Sequence, residues 1–166
     1  MQQSILATLS LTEMFDNLTP TQLELVASIC EPLTLNNQSV VCRENEGSDE
    51  LYVIGRGAVK ILVNPGFVGA AADANHEPVV IAELRQGQII GEVALVDQGL
   101  RSATVSVSQD GTYLLRIPRN RLMLLCDTYP ELGYKIMKNL AADLALKMRN
   151  TDLTVRKYQL MLSGQA

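Results

Sequence analysis

Apolar and polar positions change period twice along this chain. Residues 4–16 are weakly helical: Ile5, Leu6, Leu9 and Leu11 are apolar, and Phe15 closes the segment. A firmer helix start follows. Thr19 suits an N-cap, Pro20 suits the first turn, and Gln22 completes a capping box. Leu18 and Leu23 stand at the two positions of a hydrophobic staple. Leu23, Val26, Ala27 and Cys30 then recur at helical spacing, and Pro32 ends the helix. From residue 33 to about 117 short β-rich segments take over, predicted at 33–35, 39–43, 50–54, 58–63, 79–84, 88–90, 103–107 and 112–117. Turn signals separate them: Asn36-Asn37, Glu46-Gly47-Ser48, Gly55-Arg56-Gly57, Gln86-Gly87 and Asp110-Gly111. Val40, Leu51, Val53, Ile61, Val80 and Leu114 are expected to pack in the interior. Eight short strands with this spacing predict a mainly β fold, an antiparallel jelly roll or barrel.

The longest connection, residues 64–78, holds Pro65, Gly66, Gly69, Ala70-Ala71-Ala72 and His76. Its small residues fit a surface loop at the tip of a hairpin, an insertion in preference to a functional element. After Pro118 the period becomes helical again. Residues 119–126 predict a short helix, and Thr128 with Glu131 predicts a second capping box around Pro130. Leu132, Ile136, Leu140, Leu144, Met148, Thr151, Val155, Tyr158 and Leu162 recur at steps of three or four, with no proline or glycine between Gly133 and Gly164. A continuous helix of about 30 residues is roughly 45 Å long, longer than a small barrel. Its far end needs a partner, and a twin helix across a two-fold axis predicts a homodimer through residues 130–162. The alternative is a break near Asn150 that folds the end back. The chain divides into N-terminal helices (1–31), a β-roll (32–117) and C-terminal helices (118–166), all in a single domain.

At 166 residues the chain has the length of one domain. Its net charge of −4 argues against a nucleic-acid binder and leaves a small anionic ligand open. Met1-Gln2-Gln3-Ser4 lacks the basic start and apolar core of a signal peptide, and no apolar run reaches the roughly 18–20 residues of a membrane span. A cytoplasmic protein without a membrane partner is expected. Cys30, Cys42 and Cys126 form no CxxC and fit reduced, buried thiols. The single histidine, His76, lies in the small-residue loop, so no metal site and no Cys–His or Ser–His–Asp set is expected. A non-enzymatic protein without metal or cofactor follows.

Residues 87–105 carry the candidate chemistry. Gly87 and Gly91 permit tight backbone geometry, and Glu92 to Leu95 can form one helical turn with unsatisfied N–H groups that favour an anion. Arg101 offers a planar fork for two phosphate oxygens. The Ser102 hydroxyl and the Ala103 N–H add donors. Glu92 can accept from a sugar hydroxyl, or pair with Arg101. On chemistry alone a structural ion pair and a ligand site both remain open.

Gly91-Glu92-Val93-Ala94-Leu95 with Arg101-Ser102-Ala103-Thr104 resembles the phosphate-binding cassette of cyclic nucleotide-binding domains. Phe15-Asp16-Asn17-Leu18-Thr19 with Leu23 resembles the opening helix of that family. The run from Arg43-Glu44-Asn45-Glu46-Gly47-Ser48 to Ile54, with Gly57, is similar to its central hairpin. The resemblance spans roughly residues 14–155. It implies that Glu92 binds a ribose 2′-hydroxyl and Arg101 a cyclic phosphate, with Gly91, Val93 and Ala94 close to the ligand and Ser102 and Ala103 touching the phosphate. Thr151 and Asp152 fall near the position that reaches the purine in the bacterial activators. Ile90 replaces a common aromatic residue. Asn37 replaces a glycine, and asparagine tolerates the left-handed conformation. The activators continue into a helix-turn-helix domain that this sequence lacks, so no direct DNA binding is expected. Ser102, where cGMP-preferring members often have threonine, leans to cAMP over cGMP. The resemblance further implies that the hinge at 118–131 moves on binding and carries the C-terminal helix, which would signal to an effector protein. A module of the same fold that only dimerises is the alternative.

Overall fold

The structure is a computed structural model describing residues 2–67 and 77–164. Helix α1 (Gln2–Ser10), a 3₁₀ turn (Glu13–Phe15) and helix α2 (Pro20–Ile29) precede the strands. The capping box at α2 is formed: the Gln22 N–H donates to Thr19 Oγ1 at 3.2 Å, and the Thr19 N–H donates to Gln22 Oε1 at 3.0 Å.

Eight strands follow: β1 (Glu31–Leu35), β2 (Val40–Cys42), β3 (Glu50–Arg56), β4 (Ala58–Val63), β5 (Val79–Arg85), β6 (Ile89–Ile90), β7 (Thr104–Val107) and β8 (Thr112–Pro118). They form two antiparallel four-stranded sheets, ordered β1-β8-β3-β6 and β2-β7-β4-β5. Only β4 and β5 are chain neighbours in the same sheet, and they pair as a hairpin. The connection between them contains Pro65–Phe67 in a 3₁₀ turn. Residues 68–76, with Gly69, the three alanines and His76, lie outside the described residues.

The central strands β3 and β8 are apolar on both faces because each face meets a different core. Leu51, Val53, Leu115 and Ile117 join the helices, with Leu9, Val26, Leu122, Leu132 and Ile136. The alternate residues Tyr52, Ile54 and Leu114 face the other sheet, with Val59, Ile90 and Val105. Cys42 and Cys126 are buried, Cys30 is half-buried, and all three are free thiols. Burial pushes the Cys30 thiol up to about 12, which keeps it protonated at neutral pH.

Three local expectations are corrected. Val40 and Val80 are 42% and 49% exposed, because β2 and β5 are the edge strands of their sheet. In the β1–β2 turn the left-handed residue is Gln38 (φ 70°), not Asn37, whose N–H instead binds Asp110 Oδ1 at 2.8 Å. The second capping box does not form. Helix α4 (Arg119–Thr128) runs two residues further than expected, so Thr128 is helical and cannot take the extended N-cap backbone. Its hydroxyl donates to the Leu124 carbonyl at 2.7 Å, Glu131 pairs with Lys135 at 2.9 Å, and Tyr129 is the N-cap.

Helix α5 (Pro130–Leu162) is unbroken over 33 residues, about 50 Å. No break occurs near Asn150. Gly133 lets α5 meet α4, since a Cβ there would lie 2.7 Å from the Cys126 carbonyl oxygen. Leu132, Ile136 and Leu140 are buried in the helical core. The same stripe then runs out of cover: Met148, Val155, Tyr158 and Leu162 are exposed. No helix among the described residues is long and apolar enough to cross a membrane.

The contrast between the two caps is measurable. Thr19→Ala is expected to cost about 1 kcal/mol in urea unfolding. Thr128→Ala is expected to stay within about 0.5 kcal/mol.

Candidate functional site

Strand β6 leads into a left-handed glycine that turns the chain into a short helix. Gly91 has φ +91° and caps α3 (Glu92–Asp97). A side chain at 91 would overlap Arg101 Nη1, and its Cβ would lie 2.9 Å from the Glu50 carbonyl oxygen. The turn therefore needs glycine twice, for its backbone angle and for the guanidinium packed over it.

Arg101 is 4% exposed. Its backbone is held on both sides by the β2–β3 connection: its N–H donates to the Glu46 carbonyl at 2.9 Å, and its carbonyl accepts from the Asn45 N–H at 2.8 Å. Its Nη2 donates to Ser48 Oγ at 2.6 Å and to the Glu50 carbonyl. The Ser48 hydroxyl in turn donates to Glu50 Oε2 at 2.7 Å. Arg101 Nε and Nη1 are buried without a hydrogen-bond partner, and no described carboxylate forms an ion pair with the guanidinium. A buried cation with two open donors favours an anion strongly, because its desolvation is otherwise uncompensated.

Glu92 does not pair with Arg101. Its half-buried carboxylate accepts from Lys147 Nζ of α5 at 2.7 Å, and Lys147 also pairs with Asp143 at 2.9 Å. Ser48 and the Glu50 backbone engage Nη2 of Arg101 alone. Burial pulls the Lys147 ammonium down, but its hydrogen bonds to Glu92 and Asp143 outweigh this and hold it above its ordinary value. It is charged at neutral pH.

These groups surround a cavity of about 240 Å³. Gly91, Glu92, Val93, Ala94, Arg101, Ser102 and Ala103 all line it, so seven sequence-predicted site residues converge. Thr151 and Asp152 do not line it. Both are exposed on α5, and the Thr151 hydroxyl donates to the Lys147 carbonyl at 3.0 Å. Lys147, one turn earlier, reaches the cavity instead. Cys42, Ile61, Leu84, Ile89 and Val105 supply an apolar wall opposite the polar groups. Burial raises the Cys42 thiol against the opposing charge of Arg101. The Lys147 contact and the support of Arg101 by Ser48 and Glu50 were not predicted from sequence. The one available signal was that Ser48 and Glu50 fall in the hairpin that resembles the family pattern. Chemically the site offers a guanidinium edge, the leading N–H groups of α3 and one carboxylate acceptor beside an apolar wall.

Residues 32–129 match the sequence profile of the family described as "Cyclic nucleotide-binding domain". The chain is 26% identical over 140 residues to the cyclic AMP receptor protein of Thermus thermophilus, covering 84% of this chain and 59% of that protein. It is 25% identical over 137 residues to lysophospholipase nte1 of Aspergillus fumigatus, covering 82% of this chain but 8% of the relative. The chain thus spans less than a tenth of that relative's length. A solved cyclic nucleotide-binding domain from Methylobacillus flagellatus superposes with a TM-score of 0.76 at 23% identity, covering 94% of this chain and 83% of that one. That likeness is one of fold.

Gly91→Ala tests the turn. It is expected to cost about 1–3 kcal/mol in thermal or urea unfolding, from the left-handed strain and the displaced Arg101.

Proposed function

The chain belongs to the cyclic nucleotide-binding domain family, and we propose that it is a non-catalytic sensor module for a cyclic nucleotide, cAMP in preference to cGMP. One observation carries this reading: Arg101 is buried with Nε and Nη1 unpartnered, in the same cavity as the Glu92 carboxylate. A cyclic phosphate would take the two open donors, supplemented by the Ser102 hydroxyl and the Ala103 N–H. The ribose 2′-hydroxyl would donate to Glu92, with Gly91, Val93 and Ala94 against the sugar–phosphate. Each hydrogen bond to a charged group is worth about 1.5–3 kcal/mol. Three or four, with apolar packing of the base, support micromolar affinity, about 8 kcal/mol. The strand orders, in which nearly every connection crosses between sheets, support a jelly roll as the scaffold. The cAMP preference draws on Ser102 and on the relative named as a cyclic AMP receptor.

The output of the module is α5. For Thr151 or Asp152 to reach the base, α5 has to move over the cavity, with the hinge at 118–131 absorbing the change. Its distal half supports a homodimer through residues 130–162. Leu144, Met148, Thr151, Val155, Tyr158 and Leu162 alternate steps of four and three, the spacing of a two-helix seam, and Met148 onward is exposed. An effector protein would read the position of this helix pair.

Titration calorimetry with cAMP and cGMP tests the ligand. Binding of cAMP is expected, with Arg101→Ala weakening it at least about tenfold and Thr151→Ala far less, since only the first strands the phosphate charge. No heat and no thermal shift at millimolar nucleotide would sink the proposal. Sedimentation is expected to show a dimer that Tyr158→Asp dissociates, and a wild-type monomer would end the helix-pairing idea.

A further inference from the structure

Lys147 is the single described residue of α5 that lines the cavity. Its bond to Glu92 Oε1 is also the only hydrogen bond between α3 and α5 among the described residues. The bond uses one carboxylate oxygen, and Oε2 accepts from no described residue. Lys147 stands at a boundary. A second cavity of about 390 Å³ lies beyond it, lined by Gln88, Asp143, Leu146 and Asn150, and shares Leu84, Ile89 and Lys147 with the first.

Three charged side chains line the first cavity: Arg101, Lys147 and Glu92. Two positive charges against one negative leave a single positive charge. Without Lys147, the Glu92 carboxylate would share a poorly hydrated space with an anionic ligand, and their repulsion would offset what Arg101 provides. Asp143 lies on the other side of the lysine and lines only the second cavity.

We propose that Lys147 is a positioning residue that brings α5 into ligand recognition: it holds the Glu92 carboxylate with Oε2 free for a ribose hydroxyl and cancels its charge, so that Arg101 meets a monoanionic phosphate diester. The inference rests on the cyclic-nucleotide reading of the site. It also supplies the link between pocket and helix. A ligand that orders the Glu92 carboxylate lowers the entropy cost of its bond to Lys147, and by reciprocity an ordered Lys147–Glu92 pair favours the ligand.

The test is cAMP calorimetry on the whole protein with Lys147→Ala, Lys147→Arg, Glu92→Gln and the Glu92→Gln/Lys147→Ala double variant, with Arg101→Ala as reference. Position 147 is exposed on a helix that alanine favours, so the Lys147 variants are expected to fold. Lys147→Ala is expected to weaken cAMP about three- to tenfold, the worth of a partly exposed charge-assisted bond. Lys147→Arg is expected to restore affinity to within about twofold, and in the Glu92→Gln background the alanine change is expected to cost less than about twofold. An unchanged or tighter Lys147→Ala overturns the inference, while a wild type that binds and an Arg101→Ala that does not leave the ligand assignment standing. Equal weakening with and without Glu92 overturns it as well, since the lysine then acts on the phosphate directly. A wild type that binds no cyclic nucleotide removes the ligand assignment and this inference together.

Discussion

The arrangement around the site depends on how a buried guanidinium is accommodated. Arg101 has given up nearly all contact with water, and only one of its three nitrogens has partners in the protein. Burial of this kind is tolerable when the surroundings fix the geometry and an anion completes it. Here the fixing is thorough. Gly91 removes the side chain that would collide with Nη1, Ser48 and the Glu50 backbone hold Nη2, and Asn45 and Glu46 pin the backbone of Arg101. The guanidinium is thereby fixed in place, and a fixed group costs less to order when it binds.

The β-roll is what makes such rigidity available. Strands β3 and β8 pack on helices with one face and on the opposite sheet with the other, so the frame around the cavity is immobilised from both sides. Helix α5 is anchored differently at its two ends. Its first three turns belong to the helical core, its middle touches the cavity through Lys147, and residues 151–162 are exposed.

Much of this was legible in the sequence. The eight strands lie within a residue or two of their expected ranges, because turn signals bound most of the apolar runs. The α2 capping box was legible because both of its hydrogen bonds are local. Edge position was not legible: Val40 and Val80 alternate like core residues, and only the strand order makes them edge residues. Thr128 misled because its role depends on where α4 stops, which packing decides. In the site, the glycine turn and the Arg101 segment were visible as a motif. Family resemblance, not spacing, favoured a ligand site over a Glu92–Arg101 ion pair. The support for Arg101 and the Lys147–Glu92 bond join residues 53 and 55 positions apart, so they exist only once the sheets and α5 are assembled.

Whether the buried guanidinium takes a cyclic phosphate is read most directly from the side-chain nitrogen NMR spectrum of Arg101, assigned by comparison with Arg101→Ala, during a cAMP titration. The Arg101 Nε–H signal is expected to shift, sharpen through slowed solvent exchange and saturate with the ligand, as the open donors acquire phosphate oxygens. An Arg101 signal that stays unchanged at saturating cAMP would contradict it.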